Sequence, residues 1–251
     1  MFRSIFLIAE NVFRENLRER FFFILLILGV FFLWLAQTLA TFHSGGSIDH
    51  FYMDLAVGIN GGLGAILILV IGLQSYFRSL ESRTLWLVLV RIPYRFLFIL
   101  GFFLGIWGLL LLFGTVIFVF LWILFAHSGF SFLWEATLGL AISVSLKLAL
   151  LWSLALWIAS YSRSFLFSFL STLILFFVGH LKAVLPAFTN KSNSRDWWVS
   201  LTDWVLPNFL VFPMDVDAVM ATEWLPLITY GLLYTIFFLS LSILCFSQRP
   251  L

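Results

Sequence analysis

Charge is scarce in this sequence. Of 251 residues only 14 are Lys or Arg and 12 are Asp or Glu, leaving a formal net charge of +2. A water-soluble domain carries about a quarter charged residues, so the shortage excludes that class. A balance so close to zero says nothing by itself about a nucleic-acid partner, and none is expected. Cysteine is nearly absent: Cys245 stands alone, which rules out an internal disulfide framework and leaves its thiol the part of a small packing residue. There is no HExxH, no Ser–His–Asp pattern and no Gly-rich phosphate loop following a strand. The glycines of residues 58–64 (GINGGLG) lie inside an apolar run, where small residues serve close helix packing rather than phosphate binding. His43, Asp49, His50 and Asp54 share a polar stretch without a recognised ligand spacing, so no metal site is assigned. The first 20 residues mix acids with bases and lack a small-residue cleavage site. A cleaved signal peptide is therefore not expected, and the first span is expected to act as its own insertion signal.

What the chain has in abundance is apolar surface: 63% hydrophobic residues, 20% aromatic ones and a mean hydropathy of +1.10. A bilayer core takes about 20 apolar residues per helix. Six stretches meet that test, residues 21–40, 55–77, 96–126, 132–159, 165–185 and 225–246. The expected fold is an all-α polytopic membrane protein of six transmembrane helices, with one membrane domain over residues 21–251. Cationic residues then partition sharply. With the N-terminus in the cytoplasm, that side holds Arg3, Arg14, Arg18, Arg20, Arg78, Arg83, Arg91, Arg95, Arg163 and Arg249, against Lys182, Lys191 and Arg195 outside. By the positive-inside rule both termini are expected to be cytoplasmic.

Two elements outside the spans show periodicity. In residues 1–20, Ile5, Ile8, Val12, Phe13 and Leu17 fall near one helical face, while Glu10, Arg14 and Arg18 share another at four-residue spacing. This predicts an amphipathic helix along the cytoplasmic interface, or else an extension of the first span into water. In the outer segment, 187–224, Trp197, Trp198, Leu201, Trp204 and Val205 share a face. Tryptophan prefers the headgroup region, so short interfacial helices between spans five and six are expected, broken at Pro207 and Pro213. The bland alternative is an acidic loop.

Inside the spans one charge stands out. Lys147 lies near the middle of the fourth stretch, with Ser143 one turn before it and Ser145 and Ser153 nearby. An intramembrane cation faces the protein interior or a wet cavity. It can line a translocation path, or it can pair with Glu135 or with helix carbonyls. The remaining charge concentrates in a hinge, residues 78–95, through Arg78, Glu81, Arg83, Arg91 and Arg95. These groups can make charge-assisted contacts with a soluble partner. Arg91 and Arg95 can equally anchor helix ends to lipid phosphates, whereas Glu81 beside anionic lipid needs something to pair with.

The hinge residues Glu81-Ser82-Arg83-Thr84, then Pro93-Tyr94-Arg95 and Gly101-Phe102-Phe103-Leu104-Gly105, resemble three features of ABC-2 type transporter permeases. These are an ESRT-like stretch, a Pro-x-x-Arg-like turn and a GKxLG-like entry into span three. The likeness is greatest to the branch containing the nitrous-oxide-reductase maturation permease. Phe102 departs from that pattern, since many relatives carry lysine there. The start IAENVFRENLRERFFFILL, Gly179-His180 and Leu206-Pro207-Asn208 are similar to further family features. The resemblance implies a permease subunit of an ATP-binding cassette exporter in a bacterial inner membrane. It implies a homodimer, each chain resting on a cytoplasmic ATPase subunit that binds ATP and Mg, with no cofactor or enzymatic activity in this chain. Arg78, Glu81, Ser82, Arg83, Thr84, Pro93 and Arg95 would then contact the ATPase, and Ser143 and Lys147 would border the path. The competing expectation is a non-transporting membrane anchor for a motility, secretion or maturation assembly. An intramembrane enzyme is disfavoured, because clustered polar groups are lacking.

Overall fold

The computed structural model describes residues 2–40, 48–81, 96–128, 133–181 and 207–248. Every regular element among them is helical, as a chain of long apolar runs dictates: in lipid each backbone N–H and C=O must find its partner within the segment. In order they are α1 (Phe2–Leu17), α2 (Arg20–Ala40), α3 (Ile48–Leu67), a π-helical turn (Ile68–Gly72), α4 (Leu73–Glu81), α5 (Phe96–Ser128), α6 (Trp134–Tyr161), α7 (Phe165–Leu181), a 3-10 turn (Phe209–Val211), α8 (Val216–Met220) and α9 (Trp224–Gln248).

Four continuous helices are long and apolar enough to cross a bilayer: His50–Glu81, Phe96–His127, Trp134–Tyr161 and Trp224–Gln248. The pair Arg3–Leu17 and Arg20–Ala36, bent by 68°, makes a fifth if counted as one span, and Phe165–Leu181 is a shorter apolar helix. The chain is thus an all-helical, multi-pass membrane protein. Its large exposed side chains are those of a lipid-facing surface, among them Ile27, Trp34, Leu138, Leu166, Ile174 and Leu233. The second span, expected over residues 55–77, runs as one rod through α3, the π-turn and α4. Asp54, Ser75, Arg78 and Glu81 therefore all ride on helix.

Helix α6 is the hub, buried at most positions from Ala136 to Ser160, and it meets α3, α5, α7 and α9. The π-turn ends beside it: a Cβ on Gly72 would lie 2.9 Å from the Trp152 ring, so only glycine lets the rod approach that indole. Rings from four helices pack around this contact. Tyr76 meets Phe102 edge-on at 5.5 Å, Phe102 lies 6.3 Å from Trp152, and Phe98 stacks on Phe246 at 5.6 Å. Phe102 is fully buried in this cluster, where a lysine ammonium would lose its water.

The amphipathic residues expected within 1–20 do form a separate helix, ended by the turn at Arg18 and Glu19. Its apolar face docks on the start of α5. A Cβ on Gly101 would come within 2.7 Å of Ile8 Cβ, and one on Gly105 within 2.8 Å of Val12 Cβ and of the Ala9 carbonyl oxygen. The four-residue glycine spacing lets two backbones touch, the small-xxx-small device of membrane helices. Phe6 and Leu7 stay exposed on the far side. The Glu10–Arg14 pair expected from spacing is present, worth a few tenths of a kcal/mol on an exposed helix.

Candidate functional site

Two polar loci stand out in the described bundle, one at each end of the α3–α4 rod. The first lies on α4, one to two turns before Glu81. The buried Asn16 of α1 donates its Nδ2 to the Val12 carbonyl at 2.7 Å and to Ser75 Oγ at 3.0 Å. Three residues on, Arg78 donates to Glu19 in an ion pair. The rod is therefore tied to the corner between α1 and α2. On its other side Tyr76 Oη lies 3.3 Å from Ser160 Oγ, which lies 2.7 Å from Ser242 Oγ. Ser242 also donates to the Leu156 carbonyl at 3.3 Å. This chain of hydroxyls joins α4, α6 and α9. Glu81 ends α4 with its side chain exposed. Of the residues expected to touch an ATPase, the structure describes Arg78 and Glu81; Ser82, Arg83, Thr84, Pro93 and Arg95 lie outside the described residues, as does Arg91.

The second locus surrounds Lys147. Its side chain is 3% exposed, and its Nζ lies 3.1 Å from the Met214 sulfur. Among the described residues no carboxylate reaches it. Glu135, the partner considered from sequence, sits twelve residues earlier on the same helix, about 18 Å along the axis, and is exposed. One turn before Lys147, the buried Ser143 donates to the Pro213 carbonyl at 2.8 Å. Ser143 and Lys147 lie about 14 and 20 Å from the start of α6 by helical rise. The segment carrying Pro213 and Met214 therefore dips well into the bundle.

That segment, residues 207–220, is the main structural surprise. Its expected breaks at Pro207 and Pro213 are present as non-helical residues around the 3-10 turn. Yet it packs among the spans instead of lying over them. Asn208 donates its backbone N–H to Tyr230 Oη of α9 at 2.7 Å, and its Oδ1 accepts from Leu210 N at 3.0 Å. Phe209, fully buried, stacks on His180 of α7 at 5.4 Å and 14°, and His180 Nδ1 lies 2.8 Å from the Phe176 carbonyl. The terminal methyl of Met214 approaches Gly61 of α3 so closely that a Cβ there would come within 2.9 Å. Asp215 then caps α8, accepting from Ala218 N at 2.7 Å, and Val216 and Val219 are buried. At this end His50 Nδ1 stands 3.9 Å from Asp217 Oδ1. Among the described residues no group of three or more His, Cys, Asp or Glu side chains is placed to hold a metal ion. Trp197, Trp198 and Trp204 lie outside the described residues.

No family model and no curated protein matches this chain.

The residues that sequence reasoning missed are the partners. Nothing in the sequence links Glu19 to Arg78 or Asn16 to Ser75, each pair 59 residues apart. Met214 is a lone thioether that acquires meaning only beside Lys147. A signal did exist for α1, in the spacing of Gly101 and Gly105. For the inserted segment the signal was Asn208 with Phe209 and Phe212, residues a solvent-exposed acidic loop has no reason to carry.

Proposed function

We propose that this chain is the membrane permease subunit of an ABC-2 type transporter, driven by a separate cytoplasmic ATPase. The observation that carries the proposal is the rod His50–Glu81. At one end it presents an exposed carboxylate, Glu81, just ahead of the charged stretch 82–95. About 30 Å away by helical rise, its Gly61 walls the cage of Lys147. A partner that moves Glu81 would move that wall. The ties Arg78–Glu19, Asn16–Ser75 and Tyr76–Ser160 make α1, α2, α6 and α9 feel the same displacement.

Charge placement supports the orientation. Arg14, Arg18, Arg20, Arg78 and Arg163 gather at the end of the bundle that bears Glu81, while Glu135, Asp215, Asp217 and Glu223 sit at the end with the N-termini of α6 and α9. By the positive-inside rule the Glu81 end is cytoplasmic. In this reading α2 crosses alone and α7 completes a sixth crossing, at about 26 Å for its 17 residues. Both termini then lie in the cytoplasm of a bacterial inner membrane. Two copies form an exporter, and the partner subunit binds ATP and Mg.

Co-expression with an ABC ATPase encoded beside it tests the reading. The two are expected to purify together after detergent extraction. Intact, monodisperse chain that retains no ATPase would sink the permease assignment and favour the anchor.

A further inference from the structure

A cavity of about 380 Å³ opens between α5 and α6, backed by Asn60 of α3. Its volume falls in the roughly 300–1,000 Å³ range of small-molecule sites. The walls are Trp107, Phe118 and Trp122 from α5 and Trp134, Leu138 and Leu148 from α6. Trp122, Trp134 and Leu138 are about half exposed, at 46%, 59% and 60%, so the mouth opens on the lipid-facing belt. Among the described residues no Asp, Glu, Lys, Arg or His lines it. The hydroxyls in the wall are already satisfied: Thr115, Thr137 and Ser145 donate to the carbonyls of Leu111, Leu133 and Ile142.

Two polar atoms in the wall residues find no partner among the described residues. Asn60 Oδ1 and Trp107 Nε1 are both buried without a hydrogen-bond partner, and Asn60 as a whole is 4% exposed. An unpaired carboxamide beside hydrocarbon is costly unless something supplies the missing bond. Gly114 lets α5 pack directly against that carboxamide, because a Cβ there would lie 3.0 Å from Asn60 Nδ2 and 3.4 Å from Oδ1. A charged ligand would find no counter-charge.

We propose that this cavity binds a neutral, mainly apolar molecule carrying a hydroxyl group, which enters sideways from the membrane and hydrogen-bonds the Asn60 carboxamide. Long-chain or isoprenoid alcohols have that chemistry. The site does not depend on the ATP-driven reading above.

Photolabelling of the full chain in nanodiscs with a diazirine-tagged undecanol tests it. Label is expected on the α5 and α6 residues lining the cavity. Excess undecan-1-ol should displace it, and undecane should do so about tenfold less well, as the loss of one hydrogen bond allows. Asn60→Leu should bring the two competitors level. Ala141→Phe, which fills the cavity from α6, should abolish the competed label while the chain remains helical and monodisperse. Label that no competitor displaces, or that alkane and alcohol displace equally in the unmutated chain, overturns the proposal. So does an unlabelled cavity with Trp122→Cys forming a disulfide between copies in a Cys245→Ser background, which would assign this face to a second copy of the chain.

Discussion

Lys147 is the residue on which structure and function press hardest. A buried ammonium facing a thioether gains far less than one facing a carboxylate, and replacing buried charge with apolar groups of similar volume is often neutral or stabilising. Lys147→Met is therefore expected to leave the thermal midpoint of the detergent-extracted protein unchanged or raise it, while reducing the activity of the assembled transporter. A midpoint lowered by several degrees would instead make the lysine structural. Asn16 is the opposite case. It is 1% exposed and makes both of its bonds inside the protein, so Asn16→Leu orphans Ser75 and is expected to cost about 1–3 kcal/mol in denaturant unfolding. The Arg78–Glu19 pair is partly exposed, at 48% and 34%, and a double-mutant cycle should return about 1 kcal/mol or less. The burial of Lys147 was legible in the sequence because charge inside a span turns toward the protein interior. Its neighbour Met214 was not, since that contact depends on a segment 67 residues away.

At the scale of elements, hydropathy located every long helix among the described residues, and the bounds that are described differ from the expected ones by a few residues, save for the second. The rod His50–Glu81 outruns the apolar window because its ends carry His50, Asp54, Arg78 and Glu81, polar residues that hydropathy discounts but helical hydrogen bonding tolerates. Docking of α1 depends on close backbone approach. Gly105→Leu is expected to destabilise by at least about 1–3 kcal/mol through overpacking and to expose the first 17 residues to protease. The breaks of the inserted segment at Pro207 and Pro213 were read from sequence, but its path was not. Prolines and acids read as surface, and only tertiary contacts to Gly61, Ser143 and Tyr230 reveal the dip. Met214→Cys should resist a membrane-impermeant maleimide, whereas Asp217→Cys, whose native side chain is 90% exposed, should react. Equal labelling of the two would place the whole segment on the surface.

At the scale of the molecule, the polarity between the two ends of the bundle carries the orientation. Asp217→Cys is expected to label from outside intact cells and Arg163→Cys only after permeabilisation; the reverse pattern would invert the topology. Composition made the membrane class legible, and the same composition left the interior contacts hidden, because apolar helices can pack in many ways and the choice falls to a few glycines and polar side chains. The central claim is that force enters at Glu81 and travels along the rod His50–Glu81. Its most direct measurement is ATP hydrolysis by the co-purified ATPase, with the unmutated chain and with Glu81→Ala. The expected result is hydrolysis stimulated by the permease, with the stimulation lost in Glu81→Ala although the mutant chain stays folded. Stimulation and co-purification both unchanged by Glu81→Ala would contradict it.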